Sequence, residues 1–227
     1  SAQDAGEVGE EGAFYVWHTS ELREFLSPQE FALFEKVYGL SEPNNFEDGT
    51  HILNLQDEYD WTIKANPLIR SAHHKLLAVR QARPSPLKDD KILTAWNGLM
   101  IAAMAKANQV LGEARFLDAA RRAAQFLKQN LMSDRGLLRR YRDGEATFDG
   151  YLDDYAYLIS GLLTLYETDF DLSWIDWARE LQAKQDELLW NEQLGAYYFS
   201  RAGDPHLIRR SVDFVDGARP NSNAVSA

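Results

Sequence analysis

The sequence predicts an all-α fold, a partial (α/α) barrel of helical hairpins with short β-hairpin strands in the loops. Two observations predict it. From residue 90 onward, helices that are apolar nearly all round alternate with helices that are apolar on one face only, the pattern of an inner helical layer enclosed by an outer one. The segments that link these pairs also resemble each other, as the parts of a repeated unit do.

Taken in order, "GAFYVWH" from Gly12 reads as a short strand. "SPQEFALFEKVYGL" carries a nearly complete set of helix boundary signals, with Ser27 as N-cap, Pro28 at N1, Glu30 at N3 and Gly39 as the stop. "SEPNNFEDGTHILNL" reads as an exposed loop followed by a strand, residues 67–82 as an outer-type helix, and "RPSPLKDD" as a connection containing two prolines. The stretch from Trp96 to Val110, with Leu99, Met100, Ile101, Ala102, Ala103, Met104 and Ala105, predicts a helix surrounded by protein on every side. In "ARFLDAARRAAQFLKQNL" the apolar residues Phe116, Leu117, Ala120, Ala124, Leu127 and Leu131 share one face, so the helix meets water on the other. The pair then recurs: residues 154–167 are dry almost all round and residues 173–190 are amphipathic. Ser173 with Asp176 three residues on has the form of a capping box.

"GLLRRYRDG" from Gly136 and "GAYYFSRAG" from Gly195 each follow an amphipathic helix and read as strands. "DGYLDDYAYL" from Asp149 aligns with "DGARPNSNAV" from Asp216, 67 residues later. The implied repeat, of roughly 60 residues, is strand, irregular loop, inner helix, outer helix. "PNSNAVSA" begins the next inner helix and stops before an outer partner; the chain reads as one domain over residues 1–227, a fragment of a longer barrel.

Composition narrows the function classes. A net charge of −11 leaves no electrostatic footprint for nucleic acid and argues against anionic membranes. The chain has no cysteine, which removes disulfides, thiol catalysis and thiolate metal sites from it. No apolar run approaches the ~20 residues of a membrane span, and the default expectation is a soluble, cytoplasmic protein. The five histidines form no metal-binding spacing: His73 and His74 are adjacent on an outer-type helix, while His18, His51 and His206 stand alone. No cofactor is expected.

"GEEGAFYVW", "KDDKILTAWNGLMIAAMAKA", "YLDDYAYLISGLLTLYE" and "DGARPNSNAVSA" resemble a family of thioredoxin-domain-containing proteins that includes bacterial YyaL-type proteins and the animal spermatogenesis-associated thioredoxin-like proteins. The resemblance runs over most of the chain. It implies an N-terminal thioredoxin-like domain upstream, absent here, and an (α/α) barrel similar to N-acylglucosamine 2-epimerases and six-hairpin glycosidases, with further hairpins downstream. The last block departs from the expected Pro-Ser-Gly-Asn-Ser: Pro220, Asn221, Ser222, Asn223 and Ala224 place no hydroxyl at 221 or 224.

If the repeat holds, the loops that enter the inner helices gather acids at one mouth. Asp90, Asp154 and Asp216 are the candidate catalytic acids, since sugar hydrolysis needs paired carboxyls ~5–9.5 Å apart. Asp89, Lys91, Trp96, Asn97, Asp153, Tyr155, Asn221 and Asn223 are candidate substrate contacts, with Tyr151 and Tyr157 as further flat faces for a sugar ring. Each also has a purely structural reading. Aspartate before a helix is a preferred cap, Lys91 pairs with a neighbouring acid, Asn97 bonds loop backbone, and the tyrosines pack in the core. The functional expectation is a carbohydrate-active or carbohydrate-binding module. The alternative is a non-enzymatic scaffold that docks a protein client for an attached thioredoxin-like domain.

Overall fold

In a computed structural model, which describes residues 2–3, 12–41, 43–203 and 207–227, the chain divides into two units, Ser1–Asp89 and Asp90–Ala227.

The first unit contains β1 (Ala2–Gln3), α1 (Thr19–Phe25), α2 (Pro28–Val37), 3-10 turns at Glu47–Gly49 and Trp61–Ala65, α3 (Pro67–Ala82) and β2 (Lys88–Asp89). β1 and β2 pair antiparallel, with Ala2 opposite Asp89. The boundary signals read at Ser27 form as expected: the Ser27 side chain accepts from Glu30 N, and the Glu30 carboxylate accepts from Ser27 N at 2.7 Å. Leu22, Phe34, Val37, Ile69 and Ala72 form a core with no solvent exposure. Glu30 is a buried charge beside it. Its carboxylate also accepts from Ser71 Oγ at 2.6 Å and Lys75 Nζ at 2.7 and 2.9 Å. The Lys75 and Ser71 hydrogen bonds hold it well below the ordinary value, at about 2.

The strand expected at "GAFYVWH" does not form. Tyr15 N and Val16 N both bond to Gly12 O, closing a turn, and the Arg83 guanidinium takes the carbonyls of Ala13, Phe14 and Val16. With those groups occupied, only Trp17 bridges to His51, so the strand expected after the following loop is likewise reduced to one bridge.

The second unit contains β3 (Ile92–Leu93), α4 (Thr94–Leu111), α5 (Ala114–Asn130), β4 (Met132–Ser133), β5 (Gly136–Arg142), β6 (Glu145–Asp149), α6 (Leu152–Asp169), α7 (Leu172–Leu189), β7 (Trp190–Asn191), β8 (Ala196–Tyr197) and α8 (Ser222–Ser226). α4 and α6 lie side by side, each backed by its hairpin partner, α5 or α7. This is the inner and outer layering of an (α/α) barrel. β5 is the centre of a small antiparallel sheet, paired with β3, β4 and β6. The β5–β6 turn has Asp143 and Gly144 both at positive φ (54° and 82°), as a two-residue hairpin loop requires.

α4 and α6 touch backbone to backbone. A Cβ on Gly98 would lie 2.5 Å from Leu158 N, and one on Gly161 would lie 2.5 Å from Gly98 O. Around this crossing Ile101, Ala105, Leu158, Leu162 and Leu165 join Ala124 and Leu127 of α5 and Trp177 and Leu181 of α7 in one core. α6 buries ten residues, as expected of an inner helix. α4 does not match the expectation of a helix dry all round: Trp96, Met100, Ala103 and Val110, one stripe at helical spacing, are exposed.

Two smaller expectations are corrected. The N-cap of α7 is Asp171, which accepts from Ser173 N at 2.9 Å. Phe170, at positive φ, ends α6 and leaves Asp171 as the single extended residue before the next helix. The strand at Gly195 shrinks to Ala196–Tyr197, because Phe199 N turns away to Ser211 O.

Gly161→Ala tests the crossing. Alanine's helix propensity favours the variant by about 1 kcal/mol, but the atoms met are backbone and overpacking of this kind costs about 1–3 kcal/mol or more. Urea unfolding is expected to show a net loss. A second test concerns Glu30. Its folded pKa is depressed, so its contribution is present above about pH 4.5 and is lost as pH falls toward 2. Glu30→Gln should flatten the acid limb of a stability-against-pH curve measured by urea unfolding.

Candidate functional site

β5 carries Arg139 toward the N-terminal end of α6, where two acids begin the helix. Arg139 Nη1 donates to Asp153 Oδ1 at 3.0 Å and to Asp154 Oδ2 at 2.8 Å. Asp154 has no solvent exposure. Its Oδ2 also accepts from Tyr151 N, closing the first turn of α6, and its Oδ1 accepts from Ala95 N in the first turn of α4, each at 2.9 Å. One carboxylate therefore caps two inner helices, at the end where backbone N–H groups favour negative charge. Burial and the adjacent Asp153 push its pKa up to about 7, against the pull of Arg139 and the two N–H groups. Burial works against the Arg139 charge, yet Asp154 and Asp153 hold its pKa above the ordinary arginine value.

Asp153, whose side chain is 2% exposed, uses its other oxygen to accept from Arg219 Nη1 at 2.8 Å. Asp153, Tyr157, Phe199, Asp213, Arg219 and Asn221 are among the residues lining a pocket of about 290 Å³. The Tyr157 hydroxyl donates to Pro220 O, tying α6 to the segment that leads into α8.

The other residues read from the sequence have these places. Asp90 is exposed and ion-paired with Arg142 at 3.0 Å. Asp89 ends β2 in the first unit, and Lys91 is half-buried just before β3. Trp96 is 49% exposed. Asn97 donates to Leu93 O at 2.9 Å, within its own helix entry. Asp216 accepts from Asn221 N at 2.7 Å, and Asn221 in turn caps α8 by accepting from Ala224 N at 3.1 Å. Asn223 clasps backbone, accepting from Tyr197 N and donating to Tyr197 O and Asp213 O. Tyr155 is a correction: it is a core residue and not an open platform. Its ring is 1% exposed and its hydroxyl accepts from Leu137 N at 2.9 Å, because its face of α6 turns toward β5, where Gly136 alone leaves room for the hydroxyl.

The structure thus joins Asp153 and Asp154 through Arg139 and ties Arg219 to Asp153, two arginines that the sequence reading did not single out; Asn221 meets Asp153 only as a fellow residue of the pocket lining. Arg139 stands in the linker "GLLRRYRDG", ahead of the acid pair at 153 and 154, and Arg219 stands in "DGARPNSNAV"; an arginine in the linker before an acid pair was the available signal for Arg139 alone. Of the histidines, His73 pairs with Tyr38 at 2.6 Å and His51 is buried at its bridge to Trp17; His206 lies outside the described residues. No helix among the described residues is long and apolar enough to cross a membrane.

No family model matches the chain. Aligned over 270 residues and the whole of the chain, human spermatogenesis-associated protein 20 is 33% identical. The chain belongs to the spermatogenesis-associated protein 20 family. The rat protein of that name is 34% identical, also over the whole chain, and an uncharacterised Caenorhabditis elegans protein is 27% identical over 96% of it. The chain spans about a third (34%) of the length of each of these relatives. Among solved structures, a sugar epimerase from a ruminal bacterium matches 82% of the chain and 60% of its own at 13% identity and a TM-score of 0.48. Cellobiose 2-epimerase of Bacillus thermoamylovorans matches 50% of the chain and 30% of its own at 20% identity and 0.46. A GH76 α-mannanase of Bacteroides thetaiotaomicron matches 74% and 56% at 15% identity and 0.46. The barrel layering of this family member stands on α4 to α7 themselves.

Two outcomes are expected for the acid cluster. Arg139→Ala leaves two buried carboxylates without their shared cation and should cost about 3–5 kcal/mol in urea unfolding. For Asp154 the pKa shift is upward, so the folded state holds the proton more firmly than the unfolded chain. Its contribution to stability is complete below about pH 4 and is lost as pH rises to about 7. Comparing the chain with Asp154→Asn across pH 4–8 should show that fall in the parent only.

Proposed function

We propose that the chain is part of a carbohydrate-binding helical barrel, with sugar hydroxyls received at the N-terminal ends of α6 and α8. The observation that carries this reading is the pocket of about 290 Å³ whose lining combines Asp153, Asp213, Arg219 and Asn221 with the rings of Tyr157 and Phe199. Carboxylates accept from sugar hydroxyls, arginine and asparagine donate to them, and aromatic rings cover the apolar face of a pyranose. The volume suits one sugar ring at the lower end of small-molecule sites.

Within it, Asp153 is the hydroxyl acceptor and Arg219, 42% exposed, the donor that meets the ligand. Asp216 orders the α8 entry through Asn221, and Trp96 and Asp90 stand exposed at the approach to α4. Asp154 acts as the positioning residue that fixes both inner helices, since its contacts with Ala95 N, Tyr151 N and Arg139 occupy both oxygens. The reading is one of binding: an acid–base role for Asp90, Asp154 and Asp216 would need Asp154 to leave those three donors.

The exposed stripe Trp96, Met100, Ala103 and Val110 favours a second reading, a scaffold that docks a protein client for an attached thioredoxin-like domain. Titration of the chain with a panel of mono- and disaccharides, followed by amide chemical shifts, separates the two. The carbohydrate reading expects saturable shifts at Asp153, Tyr157, Arg219 and Asn221, and at least tenfold weaker binding in Arg219→Ala. Absence of saturable binding across the panel at about 10 mM, weaker than the affinity range of small-molecule sites, overturns it in favour of the scaffold.

A further inference from the structure

We propose that the first unit holds a separate ligand site, lying between α2, α3 and the Trp61–Ala65 turn, that takes an amphipathic organic anion: an aryl or acyl carboxylate. The cavity there measures about 460 Å³, within the range of small-molecule sites. Its walls are apolar, from Phe34, Leu53, Leu55 and Leu76, and Trp61 stands at the rim 71% exposed.

The charged residues of the lining are Lys64 and Arg80, and no aspartate or glutamate lines the cavity. In a chain of net charge −11, two cations around an apolar hollow with no facing acid form a local reversal of sign. Arg80 Nε is buried and has no hydrogen-bond partner among the described residues. A buried donor left unpaired is destabilising, and a ligand carboxylate would supply the acceptor. Lys64 Nζ sits 3.7 Å from the centre of the Trp61 ring, so the ammonium is already held at the rim above an aromatic face that a ligand's apolar body would cover.

The remaining polar element is the Tyr38 hydroxyl bonded to His73 Nε2 at 2.6 Å. Burial and the nearby Lys64 keep His73 below its ordinary pKa, so at neutral pH the pair is uncharged and presents a hydrogen-bonding group, not a third cation. The arrangement is that of a one-charge, one-tail ligand: the tail against Phe34, Leu53 and Leu76, the carboxylate between Lys64 and Arg80. None of these residues belongs to the pocket at α6 and α8, so the two sites fail or succeed independently.

The test is calorimetric titration of the whole chain with octanoate and 3-phenylpropionate, each against its neutral amide. Saturable binding of the carboxylates with Kd below about 1 mM is expected, with the amides at least about tenfold weaker. Lys64→Met, at an exposed position, should weaken the carboxylates about fivefold and leave the amides unchanged; Arg80→Met should do the same if it folds. Trp61→Ala should weaken both classes. Equal binding of acid and amide, an unchanged carboxylate affinity in Lys64→Met, or no saturation by either carboxylate would each overturn the proposal.

Discussion

The second unit depends on the contact of α4 with α6 at Gly98 and Gly161. Two helices with ordinary side chains at the crossing stay about 8–10 Å apart; here each glycine's missing Cβ is occupied by the other helix's backbone. That closeness lets Asp154, rooted on α6, reach Ala95 N at the start of α4. It also lets Ile101, Ala105, Leu158 and Leu162 close into one core with the outer helices. With a wider crossing, Asp154 would cap its own helix alone.

The acid cluster is built on that geometry. Two adjacent carboxylates in a dry site repel each other, and the site is held by guanidinium groups brought from different parts of the chain, Arg139 from β5 and Arg219 from the α8 entry. Buried ion pairs of this kind return little net stability but lose much when one partner is removed. Their effect here is positional: they tie β5 and the 213–222 segment to the start of α6, and α6 and that segment line one small pocket. Asp153 and Arg219 are the members that both belong to this network and line the pocket. The chemistry of any ligand there is therefore coupled to the integrity of the helix crossing.

The first unit is organised by different means. Glu30 joins the start of α2 to the middle of α3 through Lys75 and Ser71, and Arg83 fixes the 13–16 turn by binding three carbonyls and Glu21. Both devices use a single charged side chain to satisfy several groups distant in sequence. They leave the face bearing Lys64 and Arg80 with cations and no acid, which is what distinguishes its cavity from the acid-lined pocket of the second unit.

The sequence by itself determined the helices from α2 onward and most of their ends; α1, Thr19–Phe25, was not read from it. Periodicity and caps are local: the α2 boundaries follow from Ser27, Pro28 and Glu30, the α3 span from its apolar spacing, and the inner and outer types of α4 to α7 from how much of each surface is apolar. It also marked the acids at the helix entries, because an aspartate before an apolar run is visible without a fold. What it could not supply were partners. Whether "GAFYVWH" is a strand depended on Arg83, some 70 residues away, taking its carbonyls. Whether Tyr155 faces a ligand or the core depended on Gly136. Asp153 and Asp154 became one cluster only when β5 and the 213–222 segment brought Arg139 and Arg219 to them. Those outcomes belong to the tertiary structure, because hydrogen bonds and charge pairs between distant segments leave no periodic trace in the chain that makes them.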